Sequence, residues 1–256
     1  MSDSLPADQR PFAAPCRALE LTAAFEWVRA GWRDYRASLR VSLVYGLLVF
    51  TLSLVVTVLS WKAGRYGLVM AMLSGFVFIA PLMATGMYSV SRQLERGERP
   101  SFSRSARRMK IVVRDALIFA LALTVIFLVW VRAAFMLHVF FPVGVEESLE
   151  GLLTFLAIGS AVGSIFAAVV FAISAFSLPM IVDRDADMVT ASVTSMNAVL
   201  RNKPAMAVWV ACIVGLTGLG FATAGLGLIV TIPLLGYATH HAYRSTIDAS
   251  AWPPSP

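Results

Sequence analysis

Charge is the scarcest feature of this sequence: 14% of its 256 residues are Asp, Glu, Lys or Arg, against roughly 25% in an ordinary globular chain. Cysteine and histidine are scarcer still, with two of the first and three of the second. Cys16 and Cys212 lie far apart in sequence, one in a tail and one in an apolar run, so neither a disulfide framework nor a metal pair is supported. Three histidines cannot ligate several haems or a haem–copper centre. With 58% of residues hydrophobic, the low charge also excludes a soluble enzyme and a disordered linker.

What is present is apolar sequence in long blocks. No Asp, Glu, Lys or Arg occurs in 41–61, 66–91, 116–131, 151–182 or 205–243. About 20 helical residues cross the hydrocarbon core of a bilayer. The expectation is one span each over 41–61, 66–90, 116–137 and 152–178, with 205–243 splitting into two at its glycine-rich middle. None of these runs alternates in polarity as a barrel strand must. The fold class is therefore all-α: a polytopic membrane bundle of about six transmembrane helices.

Eighteen of the 21 basic residues fall before span one, between spans two and three, between spans four and five, or after span six. The other side holds Lys62 and Arg65 with Glu146, Glu147 and Glu150. The positive-inside rule then puts both termini on the cytoplasmic side. The net charge of +6 is a topology signal, and no nucleic-acid partner is expected. Residues 1–40 lack the apolar core of a cleavable signal peptide. The expected organisation is a disordered cytoplasmic tail over 1–19, one membrane domain over 20–245 and a short Pro-rich tail over 246–256.

The basic segments carry helical stripes. Leu21, Phe25, Val28, Trp32, Tyr35 and Leu39 share one face, beside a second stripe of Arg29, Arg33, Arg36 and Arg40. An aromatic apolar face next to a basic one suits a helix lying among anionic headgroups, with Trp32 and Tyr35 at the membrane interface. Similar steps recur at Phe102, Ala106, Met109, Val113 and at Val189, Val193, Met196, Leu200. The returning spans contain Pro81, Pro179 and Pro233, where proline is expected to kink the helix. The pattern suggests three units over 20–97, 101–182 and 183–245, each a cytoplasmic interfacial amphipathic helix followed by a hairpin of spans.

Chemistry-bearing residues are few. Arg132 is the one charge inside a span, able to snorkel to the outer headgroups or to serve a buried pair or an anion. Asp183, Asp185 and Asp187 form the densest acidic cluster; Asp183 and Asp187 would share a helix face, for a cation or, better, to cap the following helix. His240 and His241 would point about 100° apart on a helix, which does not suit chelation of one metal. Gly159, Gly163 and Ala167 give span four a small-residue face for close helix packing. No phosphate-binding loop, metalloprotease helix or nucleophile motif occurs. Neither a cofactor nor a metal is expected.

Four segments carry a resemblance: Gly31-Trp-Arg-Asp-Tyr-Arg36, Tyr88 to Gly97, Ser177 to Ser195, and Pro233-Leu-Leu-Gly-Tyr-Ala-Thr-His-His-Ala-Tyr-Arg244. Together they resemble the bacterial integral-membrane family called domain of unknown function 2189. The resemblance spans roughly 25–245 and implies an inner-membrane protein of about six spans. The family pattern has histidine and tryptophan where this chain has Tyr237 and His240, which leaves His241 as the matching histidine. It implies no activity. The sequence leans against an enzyme and favours a non-catalytic accessory or scaffold protein, touching lipid and other membrane proteins or a second copy of itself. The alternative is a transporter or channel for a small solute or lipid.

Overall fold

The computed structural model describes residues 6, 9–63, 66–140 and 149–255 and, within them, all side chains but those of 60, 63, 66–78, 138 and 140. Arg65, Glu146, Glu147 and the His138 side chain lie outside the described residues. Nine helices occur among the described residues: α1 (Ala23–Ala37), α2 (Leu39–Ala63), α3 (Tyr66–Glu95), α4 (Phe102–Phe140), α5 (Leu149–Ser174), α6 (Ser177–Asp183), α7 (Met188–Arg201), α8 (Lys203–Ala222) and α9 (Leu228–Thr246).

Four stretches are long and apolar enough to cross a membrane: Leu39–Leu59, Phe102–Leu137, Leu149–Asp183 and Lys203–Ala222. Less than half of the most apolar window in each is buried. Leu47, Leu54, Leu121, Leu128, Ile165 and Val214 stand exposed along them. Water does not tolerate so continuous an apolar surface, whereas lipid covers it without cost. The expected sixth span, α9, does not meet the same measure. Its apolar half is short, and its second half carries His240, His241 and Arg244. It can be polar because it is enclosed: α9 packs against α1, α2, α3 and α8, and Leu234, Tyr237, Ala238, His240 and Tyr243 are buried.

Close approach explains how α9 is enclosed. A Cβ on Gly46 of α2 would lie 2.0 Å from the Ile229 carbonyl oxygen of α9. On Gly31 of α1 it would lie 2.8 Å from the backbone of both Leu234 and Ala238. Only glycine lets these backbones touch. The outward-facing stripe of α1 is therefore not its packing face. Ala24, Trp27, Ala30, Gly31 and Tyr35 are buried, while Leu21, Phe25, Trp32 and Leu39 are exposed. Helix α7 repeats the arrangement, with Ala191, Thr194, Ser195 and Ala198 inward and Val189, Met196 and Leu200 outward.

The expected three-unit pattern meets a difference at its second lead-in. α1 is separated from α2 at Ser38 (φ −120°, ψ 32°), and α7 from α8 at Asn202 (φ −118°, ψ 34°), nearly the same backbone bend. At each, the side chain bonds back to the carbonyl four residues earlier: Ser38 Oγ to Asp34 at 2.7 Å and Asn202 Nδ2 to Ala198 at 3.0 Å. The second lead-in runs unbroken into its span as the 39 residues of α4. At about 1.5 Å per residue, α4 extends well beyond a ~30 Å hydrocarbon core.

Part of the segment expected as a disordered tail is packed. The Ala14 N–H donates to Thr194 Oγ1 at 2.9 Å, the Leu19 N–H donates to Asn202 Oδ1 at 2.9 Å, and Cys16 pairs with Ile247 as an isolated bridge. Of the three prolines, Pro81 and Pro233 lie inside continuous helices, and Pro179 follows a break at Ala175 and Phe176.

The glycine contacts set a test. Gly46→Ala puts a methyl group into the Ile229 backbone, and Gly159→Ala meets nothing within 4 Å. Overpacking of this kind costs about 1–3 kcal/mol. Thermal unfolding of detergent-solubilised protein should show a lower Tm for the first variant and an unchanged one for the second.

Candidate functional site

The polar residues of the chain gather where α3 and α9 end and α4 begins. At their centre is Asp183, the last residue of α6 and buried. Its Oδ1 lies 3.5 Å from Arg92 Nε. Its Oδ2 lies 3.2 Å from Arg184 Nε and 3.4 Å from Arg244 Nη1, and accepts from the Tyr243 hydroxyl at 3.1 Å. A carboxylate removed from water needs such partners. The end of α6 is satisfied by cations as well: the Val182 carbonyl accepts from Arg92 Nη1 at 2.9 Å and from Arg108 Nη2. The last carbonyls of a helix have no partner of their own and carry its negative dipole end, which suits two guanidinium groups.

The Pro-rich tail closes over this cluster. Ser255 donates its N–H to the Asp183 carbonyl and accepts from Arg92 Nη2, both at 3.0 Å. The Arg184 Nη1 donates to the Trp252 carbonyl at 3.0 Å, and the Asp185 N–H to that of Pro253 at 2.9 Å. Trp252 is buried. A second layer uses the two histidines separately. His241 Nε2 is 2.8 Å from Asp34 Oδ2 on α1. His240, wholly buried, has Nε2 3.2 Å from Glu95 Oε2, although the angle is not that of a hydrogen bond. Arg244 Nε lies 3.5 Å from the same carboxylate oxygen. The adjacent histidines thus reach different helices, as their offset requires.

The remaining expected residues are dispersed. Arg132 is exposed on α4 and makes no ion pair among the described residues; it lies 24 positions beyond Arg108, about 36 Å along the helix axis. Asp183 and Asp187 do not share a helix face, because Arg184 to Asp187 run extended between α6 and α7. Asp187 caps α7 instead, accepting from the Val189 and Thr190 N–H groups at 2.9 and 3.0 Å. Asp185 is exposed. Trp32 stacks on Tyr35 with ring centres 5.5 Å apart, and the Arg36 guanidinium lies 5.9 Å from the Trp32 ring. Arg29 and Arg33 are exposed. Gly159 faces open space; Gly163 and Ala167 line an apolar cavity of about 310 Å³ between α4 and α5, opposite Trp130.

Sequence reasoning treated Arg92 and Arg108 as topology charges and gave Asp34 and Glu95 no role. The signal for three of these four was the resemblance itself. Asp34, Arg92 with Glu95, Asp183 with Arg184, and His241 with Arg244 come one from each of the four resembling segments, and they meet at this one site. Among the described residues, no group of three His, Cys, Asp or Glu is placed to hold a metal ion.

Exposed apolar helices joined at one polar end define an integral membrane protein of the multi-pass class. Residues 68–183 match the family described as Predicted integral membrane protein (DUF2189), a stretch that holds Arg92, Glu95, Arg108 and Asp183. No curated protein and no solved structure matches the chain.

Two aspartates at the site differ in what they hold. Asp183→Ala leaves Arg92, Arg184 and Arg244 without their shared partner, a loss on the order of 3–5 kcal/mol for a buried ion pair. Asp187→Ala removes one helix cap, about 1 kcal/mol. Slight burial raises the Asp187 carboxyl, but hydrogen bonds from Thr190 and Val189 more than offset it and hold its pKa below the ordinary 3.8. A group depressed in this way stabilises the fold above its unfolded pKa and ceases to do so as pH falls through the folded value. Melting curves should give a much larger Tm loss for Asp183→Ala than for Asp187→Ala at neutral pH. The gap between wild type and Asp187→Ala should close only as pH falls below 3.8.

Proposed function

We propose that this protein is a non-catalytic accessory or scaffold protein of the bacterial inner membrane, with both tails on the cytoplasmic side. The carrying observation is how the buried charges are used. Asp183 with its arginine partners, and Asp34 with His241, join helix to helix and tail to helix instead of lining a common reaction site. Catalysis needs a nucleophile, base or metal converging on one vacant point. In this site the charges face one another. The excess of basic residues at the same end supports the cytoplasmic orientation. The exposed stripes of α1 and α7 support contact with the headgroup layer, with Arg29, Arg33 and Arg36 toward anionic lipid. The open faces of α5, which has no buried residue, are the surface for another membrane protein or a second copy.

A transporter or channel for a small solute or lipid is the second reading. A cavity of about 310 Å³ between α2, α3, α8 and α9, lined by Val49, Met83, Met87, Ile213 and Leu235 with Thr239, favours it. Its apolar lining fits an apolar solute or an acyl chain.

Extraction into native-lipid particles separates the readings. The scaffold reading expects the protein to co-purify stoichiometrically with a larger membrane assembly or with itself. A solitary monomer in such particles would overturn it, and solute or lipid flux in vesicles holding the protein alone would establish the second reading.

A further inference from the structure

The site described above occupies one side of Arg92. On the other side, the last turns of α3 and the first turns of α4 enclose a cavity of about 400 Å³. Five guanidinium groups line it, from Arg92, Arg96, Arg104, Arg107 and Arg108, against a single carboxylate from Glu98. That carboxylate is engaged by Arg104, which also donates to the Arg99 carbonyl. The side-chain amide that lines the cavity, Gln93, is occupied too: its Oε1 accepts from the Ser101 N–H at 3.0 Å and its Nε2 donates to the Ser89 carbonyl at 3.2 Å. Of the five arginines, Asp183 pairs only with Arg92, at 3.5 Å. Arg96 and Arg107 make no ion pair among the described residues.

Like charges do not gather in a pocket without a reason, since each guanidinium there repels the next. Arg108 sharpens the point. It is 7% exposed, and only its Nη2 is bonded, to the Val182 carbonyl. Its Nε and Nη1 are buried with no hydrogen-bond partner. Buried guanidinium N–H groups left unpaired are costly and rare. The ligand that would satisfy them is an anion with several acceptor oxygens. Guanidinium groups arriving from two helices and several directions suit a tetrahedral oxyanion better than a planar carboxylate.

The geometry points to a binding site for a phosphate group in the α3–α4 cavity, at the basic end of the bundle. Arg108 forms its inner wall, and Arg96 and Arg107 its accessible sides. The phosphate belongs either to a lipid headgroup or to a free phosphate anion. The site goes beyond the scaffold reading and stands independently of any protein partner.

Full-length protein in neutral detergent, titrated with inorganic phosphate against chloride of equal ionic strength, tests the free anion. Protein reconstituted in bilayers of phosphatidylcholine with or without phosphatidylglycerol, followed by native mass spectrometry of retained lipid, tests the headgroup. Arg96→Gln/Arg107→Gln removes two exposed groups with no structural partner, so folding is preserved; Lys62→Gln, at the far end of α2, is the control. Arg108→Gln tests the inner wall. Each removed arginine should weaken binding roughly tenfold. Phosphate binding in detergent lost in the cavity variants identifies a free-anion site. Retention of phosphatidylglycerol alone, lost in the same variants, identifies a headgroup site. Binding in neither arm, or binding that the folded Arg96→Gln/Arg107→Gln protein keeps unchanged, overturns the proposal.

Discussion

A carboxylate withdrawn from water must be matched by cations close at hand, and Asp183 imposes that condition on the whole polar end of the molecule. Its partners come from α3, α9 and its own flank, so three regions distant in sequence are held at one point. The short helix α6 ends there, Arg92 and Arg108 both reach its Val182 carbonyl, and the C-terminal tail lies across it. Elsewhere the lipid-facing helices have little beyond van der Waals contact to fix their register, because lipid and side chain are equally apolar. Specific position therefore comes from the polar end and from the few glycines that admit backbone contact. Gly31 and Gly46 seat α9 against α1 and α2, and the charged cluster fixes where along its length α9 stops.

Some of this was legible in the sequence, for a physical reason. The cost of charge in hydrocarbon is large, so its absence over 41–61, 116–131, 151–182 and the first part of 205–243 marks spans without any knowledge of packing, while the uncharged remainder of the last stretch belongs to the enclosed α9. The match of residues 68–183 to a family of predicted integral membrane proteins accords with that class. The ion pairs were illegible because their partners are far apart: Arg92 with Asp183, Asp34 with His241. Periodicity reports neighbours three or four residues apart and nothing across such distances. It also passes over small residues. On α1 the visible stripe is Leu21, Phe25, Val28, Trp32, Tyr35 and Leu39, of which Tyr35 is buried, whereas Ala24, Ala30 and Gly31 supply the closest packing. Small side chains score weakly for hydrophobicity but permit the closest approach, and close approach decides which face turns inward.

The lead-in helices look alike at two of the three places. Ser38 and Asn202 separate a lead-in from the helix after it at nearly the same backbone angles, and each is followed by a helix long and apolar enough to cross a membrane. Asn202 does more than Ser38, since its amide also holds Leu19 and the Arg17 carbonyl of the N-terminal segment. One residue thus follows α7 and anchors a tail. At the second place α4 runs on without a break.

That continuity has a consequence for where charge can sit. A lead-in that bends away can turn its arginines toward the headgroups; one that continues along the span axis keeps them stacked beside its neighbour. Arg104, Arg107 and Arg108 are carried by such a helix, facing Arg92 of α3 and Arg96 just beyond its end. The same helical continuity that merges the second lead-in with its span therefore concentrates guanidinium groups between α3 and α4. Asp183 neutralises that concentration from one side only, through Arg92, and Glu98 is held at Arg104. The excess positive charge of the chain, read at first as a guide to orientation, is in part localised in a cavity with unpaired donors on its inner wall. Orientation alone requires no such convergence, since the positive-inside rule is met wherever on that side the cations lie. Convergence with unsatisfied N–H groups requires a counter-charge, and the chain supplies too few carboxylates there to provide it.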